Sequence, residues 1–181
     1  PLKPGSPHYS YYSRNPEWHM YDRPEFPSHA TLMAARDQVL AKHPRLQMVG
    51  AHLASLEYDV DVLAARLDRY PNFAVDISAR LSDLAIQDSA KVRAFFLAYQ
   101  DRILFGTDVV MRDAPSTLPE AARTAAVNAL RQTYEMHLAY LAGSGPTLVR
   151  TYATQGLALP ATVLDKIYTE NARHWYPRLQ G

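Results

Sequence analysis

Apolar positions along this chain keep two alternating rhythms, a short continuous run followed by a stripe at helical spacing, and the pair is written three times. The runs are Leu46–His52, Phe73–Ile77 and Arg102–Asp108. None alternates cleanly, as expected of parallel strands covered on both faces. The first two stripes are Val60, Leu63, Ala64 and Leu67, then Val92, Phe95, Phe96 and Tyr99. Apolar residues at i, i+3, i+4 and i+7 make one buried helix face. The runs begin 27 and 29 residues apart, the period of strand-helix units. The predicted fold class is therefore α/β with a parallel sheet.

Further helices flank these units. Ser28 is a candidate N-cap for a stripe of Leu32, Ala35, Val39 and Leu40 that ends near His43-Pro44. Past Asp108, Thr117-x-x-Glu120 reads as a capping box with Pro119 near the first turn. Ala126, Leu130, Tyr134, Leu138 and Leu141 form the expected inner stripe, and Gly143 to Gly145 end the helix. A last helix is expected from Pro160, burying Val163, Leu164, Ile167 and Tyr168 with Trp175 near its end. Residues 1–28 differ in kind: six prolines and six aromatics predict a long ordered loop rather than a helix or strand. A loop of that length in a compact domain is usually a lid, a binding loop or a cut element.

Composition narrows the functions. A chain of 181 residues, 48% apolar, can bury one sizeable core. Nineteen basic residues against 18 acidic ones give no field to gather nucleic acid or an anionic membrane, so neither partner is expected. The absence of Cys removes disulfides, thiolate catalysis and Cys-ligated zinc, leaving His, Asp and Glu as metal ligands. No apolar run approaches the ~20 residues of a membrane span, and Pro1 to Tyr12 do not read as a leader. The compartment stays open, leaning to the cytoplasm.

In parallel sheets ligands sit at the carboxyl ends of the strands, so polar residues closing apolar strands are the candidates for chemistry. His52, Asp76 and Asp108 qualify. His52 is a base or metal ligand, or else a hydrogen-bonded core histidine. Asp108, after Gly106-Thr107, offers a carboxylate to a divalent ion or to the proton of a metal-bound water, with a helix cap as the alternative. Asp76 lies inside its strand, where a structural hydrogen bond is the expected role.

The runs His43-Pro44, Val49-Gly50-Ala51-His52-Leu53, Tyr70 to Arg80 and Tyr99 to Asp108 resemble the amidohydrolase-related family, in the branch that holds the aminocarboxymuconate-semialdehyde decarboxylase-like enzymes. The likeness extends from the Asn15 to Tyr21 loop to the Asp165 to Ala172 helix. It implies the C-terminal portion of a (β/α)8 barrel, with strands six, seven and eight ending at His52, in the run from Phe73 and at Asp108, followed by the C-terminal helices. Residues 1–28 become a substrate-side loop and 29–181 the barrel portion. The implied activity is that of a metal-dependent hydrolase, in which water on a divalent ion, zinc by preference, attacks a C–N or C–O bond of a small molecule. Asp108 would ligate the ion, His52 would act as base or polarise the substrate, and Trp18, His19, Tyr21 and Arg80 would lie on the substrate side. A non-oxidative decarboxylase on the same site, or a non-catalytic barrel fragment or binding module, are the alternatives.

The family's His-x-His pair and its fifth-strand histidine have no counterpart here. One carboxylate and one imidazole leave a zinc shell unfilled. A full barrel needs about 250 residues, and three strands alone leave open edges. The missing N-terminal half, or a second copy of the chain, is thus an expected partner. With Pro1-Leu2-Lys3-Pro4 opening in mid-loop, a fragment or part of a longer chain is preferred over half of a split enzyme.

Overall fold

The computed structural model describes residues 3–110 and 117–177. Pro1-Leu2 of the opening, and residues 111–116 of the passage from Asp108 toward the next helix, lie outside the described residues. The chain divides into two compact units, Pro1–Leu46 and Gln47–Gly181.

The first unit holds helix α1 (Tyr9–Arg14), a 3-10 turn at Pro16–Trp18 and helix α2 (His29–Lys42). The proline-rich opening was expected to hold no helix, and α1 corrects that. The stretch between Pro7 and Pro16 is free of proline, so backbone N–H donors exist for one and a half turns. Asn15 closes α1 by donating both its backbone N–H and its side-chain amide to Tyr11 O. Helix α2 starts as expected, with Ser28 Oγ accepting from Thr31 N–H at 3.1 Å. It stops at His43, before Pro44. Of its expected stripe Leu40 is buried, whereas Leu32 and Val39 are exposed.

The second unit is built on β1 (Met48–Gly50), β2 (Phe73–Asp76) and β3 (Ile103–Leu104), parallel and in the order β1-β2-β3. Val49 pairs with Ala74 and Val75 with Ile103. The strands are shorter than the apolar runs, and His52 and Asp108, at the ends of two runs, are left-handed and off the ladder. After β1 comes a single turn, α3 (Ala51–Ala54), then α4 (Val60–Arg69). Helix α4 buries Val60, Leu63 and Leu67 as its spacing predicts. Between β2 and β3 lie α5 (Leu81–Ala85) and α6 (Ser89–Ala98), the latter capped by Asp88 and burying Val92, Phe95 and Phe96.

The long helix α7 (Glu120–Ala142) differs from expectation twice. Its N-cap is Pro119, so Glu120 is its first residue and the Thr117-x-x-Glu120 capping box is out of register. Its buried residues are His137, Tyr140 and Leu141, whereas Tyr134 and Leu138 stand 44% and 50% exposed. Residues stepped by four advance ~40° past a full turn each time, so a stripe of three such steps swings about a third of the way round the helix.

Next comes an antiparallel hairpin, β4 (Pro146–Val149) with β5 (Tyr152–Gln155), which the sequence pattern did not announce. Its turn residues, Arg150 and Thr151, lack the Asn-Gly or Asp-Gly pair that marks tight hairpins. The last helical segment runs from α8 (Ala161–Asp165) through a π-helical turn at Lys166–Glu170 into α9 (Asn171–Trp175). It is fastened along β3. Asn171 donates to Gln100 O and Ile103 O at 2.6 and 2.8 Å, Trp175 Nε1 donates to Asp101 O at 3.1 Å, and Phe105 N–H donates to Ile167 O at 2.9 Å.

Candidate functional site

Because β1, β2 and β3 run parallel, their carboxyl ends share one edge of the sheet. That edge carries His52, the Asp76-Ile77-Ser78 segment and the Gly106-Thr107-Asp108 segment. Two of the three are bound into a single unit. Asp76 Oδ1 accepts the backbone N–H of His52 at 3.0 Å and that of Ser78 at 2.9 Å. The His52 ring closes the circuit, Nδ1 donating to Ser78 O at 2.8 Å. A carbonyl only accepts, so Nδ1 carries a proton, and in the neutral ring the lone pair is on Nε2.

This clasp holds an unfavourable backbone. His52, Leu53, Ala54 and Ser55 have φ of 58°, 52°, 57° and 59°, four consecutive residues in the left-handed region. Each costs about 1–2 kcal/mol for a residue bearing a Cβ. Left-handed residues persist where the surroundings hold them, and here the Asp76 carboxylate and the buried Leu53 and Ala54 side chains do so. Asp76 therefore has the structural hydrogen-bonding role expected of it, with one bond to the backbone of the neighbouring strand end and one to its own.

Gly106 sets the spacing on the other side. A Cβ there would collide with Ser78 Oγ, so glycine lets the end of β3 lie this close to the clasp without displacing the Ser78 hydroxyl. Asp108 follows two residues later, exposed and left-handed at φ 59°. Nearby, Val109 N–H reaches Thr107 Oγ1 at 3.4 Å. No hydrogen bond joins Asp108 to His52 among the described residues. The structure thus brings His52 together with Asp76 and Ser78 and sets Asp108 on the neighbouring strand end.

Arg80 lies just beyond, with Nε 3.3 Å from Glu57 Oε1, both side chains 19% exposed. Trp18, His19 and Tyr21 belong to the first unit. There Tyr12 packs on His19 with ring centroids 5.4 Å apart and His19 on Tyr21 at 6.1 Å, while Trp18 and Tyr21 are exposed.

One imidazole nitrogen and one carboxylate suit a divalent ion such as zinc by donor chemistry. A tetrahedral site needs four donors, so His52 and Asp108 do not hold a catalytic ion by themselves.

Sequence reading missed the clasp, because nothing in a strand pattern says that Asp76 serves residues 24 positions earlier. The available signal was local: Asp76-Ile77-Ser78 puts two polar residues on one side of an apolar one at a strand's end.

A family model described as amidohydrolase matches residues 18–178. No curated protein and no solved structure matches the chain.

Proposed function

Since the chain belongs to the amidohydrolase family, which supports hydrolase or lyase chemistry in general, we propose that it carries part of the active site of a metal-dependent hydrolase cleaving a C–N or C–O bond. In this reading β1, β2 and β3 are the sixth, seventh and eighth strands of a (β/α)8 barrel, in the decarboxylase-like branch of the family. The parallel order and the helices between the strands support it. Residues 1–28 remain its substrate-side segment, and Trp18, His19, Tyr21 and Arg80 stand as substrate-side residues on the resemblance alone.

The observation that carries the reading is the fixed imidazole. With Nδ1–H committed to Ser78 O, His52 offers Nε2 at the strand ends, where it takes a proton from the attacking water or, once protonated, donates to the oxyanion. Asp108, exposed past the end of β3, accepts a proton and serves as one donor to the ion. The other donors come from outside these three strands, from the N-terminal half of the barrel or from a second copy. A bound divalent ion, zinc by preference, supplies a water acidified to near neutrality.

The test uses the complete barrel. Asp108→Asn should lower turnover by at least a thousandfold and reduce the zinc content measured by elemental analysis. Near-normal activity would overturn the assignment. Release of carbon dioxide in place of amide or ester cleavage would reassign the site to the decarboxylase alternative. A metal-free chain that binds a partner tightly and turns nothing over would make it a binding module.

A further inference from the structure

A groove of about 380 Å³ opens in the second unit beside the strand ends. Its floor includes Thr107, directly before Asp108, and Ala79, directly after the Ser78 that accepts from His52. One wall is the C-terminal half of α7, and Arg150 of the β4–β5 turn closes the rim.

The lining has one sign of charge. Arg150 is its single formal cation, and no carboxylate lines it. Several other cations of the second unit are matched: Lys91 with Asp59 and Asp61, Lys166 with Asp101, Arg80 with Glu57. Arg150 forms no ion pair with a described residue. Arg150 is exposed, and its backbone is held at φ 56° with the N–H on Met136 Sδ at 3.2 Å. Around it stand neutral hydrogen-bonding groups. Ser82 Oγ has no partner among the described residues, and the Gln132 amide lines the same wall. Thr107 Oγ1 is an acceptor from Val109, which leaves its own proton free to donate. His137 is buried at 4% exposure and donates Nδ1–H to Thr133 O at 2.7 Å, so Nε2 is left as an acceptor. Burial holds this imidazole below its ordinary range, which keeps it neutral at pH 7. Leu81 and Met136 supply apolar surface between these groups.

We propose that the groove is an anion subsite of the substrate pocket, in which Arg150 pairs with a carboxylate on a small, partly hydrocarbon substrate whose scissile bond lies at the His52 and Asp108 edge. A guanidinium fork with no internal partner matches a carboxylate in two parallel hydrogen bonds. The hydroxyls of Ser82 and Thr107 add donors, and the apolar wall takes the carbon skeleton. The substrate class is therefore an organic acid bearing a second, hydrolysable group. This placement rests on the hydrolase reading, whereas the anion binding itself does not.

Titration of the 181-residue chain with benzoate, followed by isothermal calorimetry, needs no metal and no turnover. Saturable benzoate binding is expected, with the neutral isostere benzamide at least tenfold weaker. Arg150→Gln should weaken benzoate about tenfold or more, the range for a charge-assisted pair, and Arg150→Lys should restore part of it. Arg131→Gln, which removes the same charge from a residue outside the groove, should leave binding unchanged. Absence of saturable benzoate binding, equal binding of benzamide, or equal losses in Arg131→Gln and Arg150→Gln would overturn the subsite. Failure of Asp108→Asn to reduce turnover would remove the hydrolase reading and leave the calorimetric result standing.

Discussion

Two strand ends of one sheet, on either side of β2, carry the same backbone irregularity and treat it differently. At the end of β1, His52 is left-handed and held by hydrogen bonds at 3.0 and 2.8 Å to Asp76 and Ser78. Past β3, Asp108 is left-handed too, but exposed, with only the Thr107 to Val109 contact beside it. The imidazole is preorganised by its own unit, whereas the carboxylate is displayed. Positional precision at the candidate site therefore resides in the ends of β1 and β2, and the end of β3 displays a charge.

The largest expected effect that would break this contrast is on Asp76. Asp76→Ala leaves two backbone amides without their acceptor and should cost about 2–4 kcal/mol in urea unfolding. Asp108→Ala should stay within about 0.5 kcal/mol, as for surface residues without fixed partners. Equal losses would show that both ends are locked. Gly106→Ala comes next, since its Cβ meets Ser78 Oγ. The overpacking should cost about 1–3 kcal/mol, and a change in the nitrogen NMR signature of the His52 Nδ1–H tautomer would show that the strain reaches the clasp. Unchanged stability and tautomer would mean that the β3 end moves away freely.

A smaller effect sharpens the comparison with one residue type. Asp108→Gly removes left-handed strain where little holds it and should stabilise the chain by up to about 1 kcal/mol. His52→Gly relieves the same strain but loses the ring's bond to Ser78, and should destabilise. Thermal denaturation of the pair reads both signs at once. The smallest effect concerns His137, whose pKa burial lowers first and foremost. The unfolded chain then binds more protons than the folded one between the folded value and the ordinary one near 6.5. Stability should therefore decline as pH falls through that window, and His137→Asn should flatten this part of the curve. An unchanged slope in the variant would assign it to other groups.

The parallel core was legible because its signals are local. Leu63 and Leu67 recur at helical spacing, Ser28 stands before its helix, and three apolar runs repeat at a βα period. What escaped depends on partners remote in sequence or on backbone freedom. The β4–β5 hairpin turns at Arg150-Thr151 with no glycine, so its turn carried no composition signal. The buried face of α7 was placed by a four-residue count, and phase error accumulated along 23 residues. Of the candidate site, the proposed residues His52 and Asp108 stood out in the sequence as polar residues closing apolar runs. The tautomer of His52 did not, because it is fixed by Ser78, 26 residues later.

The way the last helical segment grips β3 constrains the order in which the molecule can be assembled. Asn171 and Trp175 reach back 71 and 74 residues to the carbonyls of Gln100 and Asp101. During synthesis β3 thus waits for Asn171, made 68 positions after Ile103, before its backbone is covered. Such closures are slow relative to helix formation. Until then Leu104 and Ala74 lack the Trp175 ring that seals them, and the nascent sheet presents a bare edge on which another chain can settle. A holdase that masks this edge should raise the yield of folded chain, and trimming before Asn171 should send the protein to aggregates.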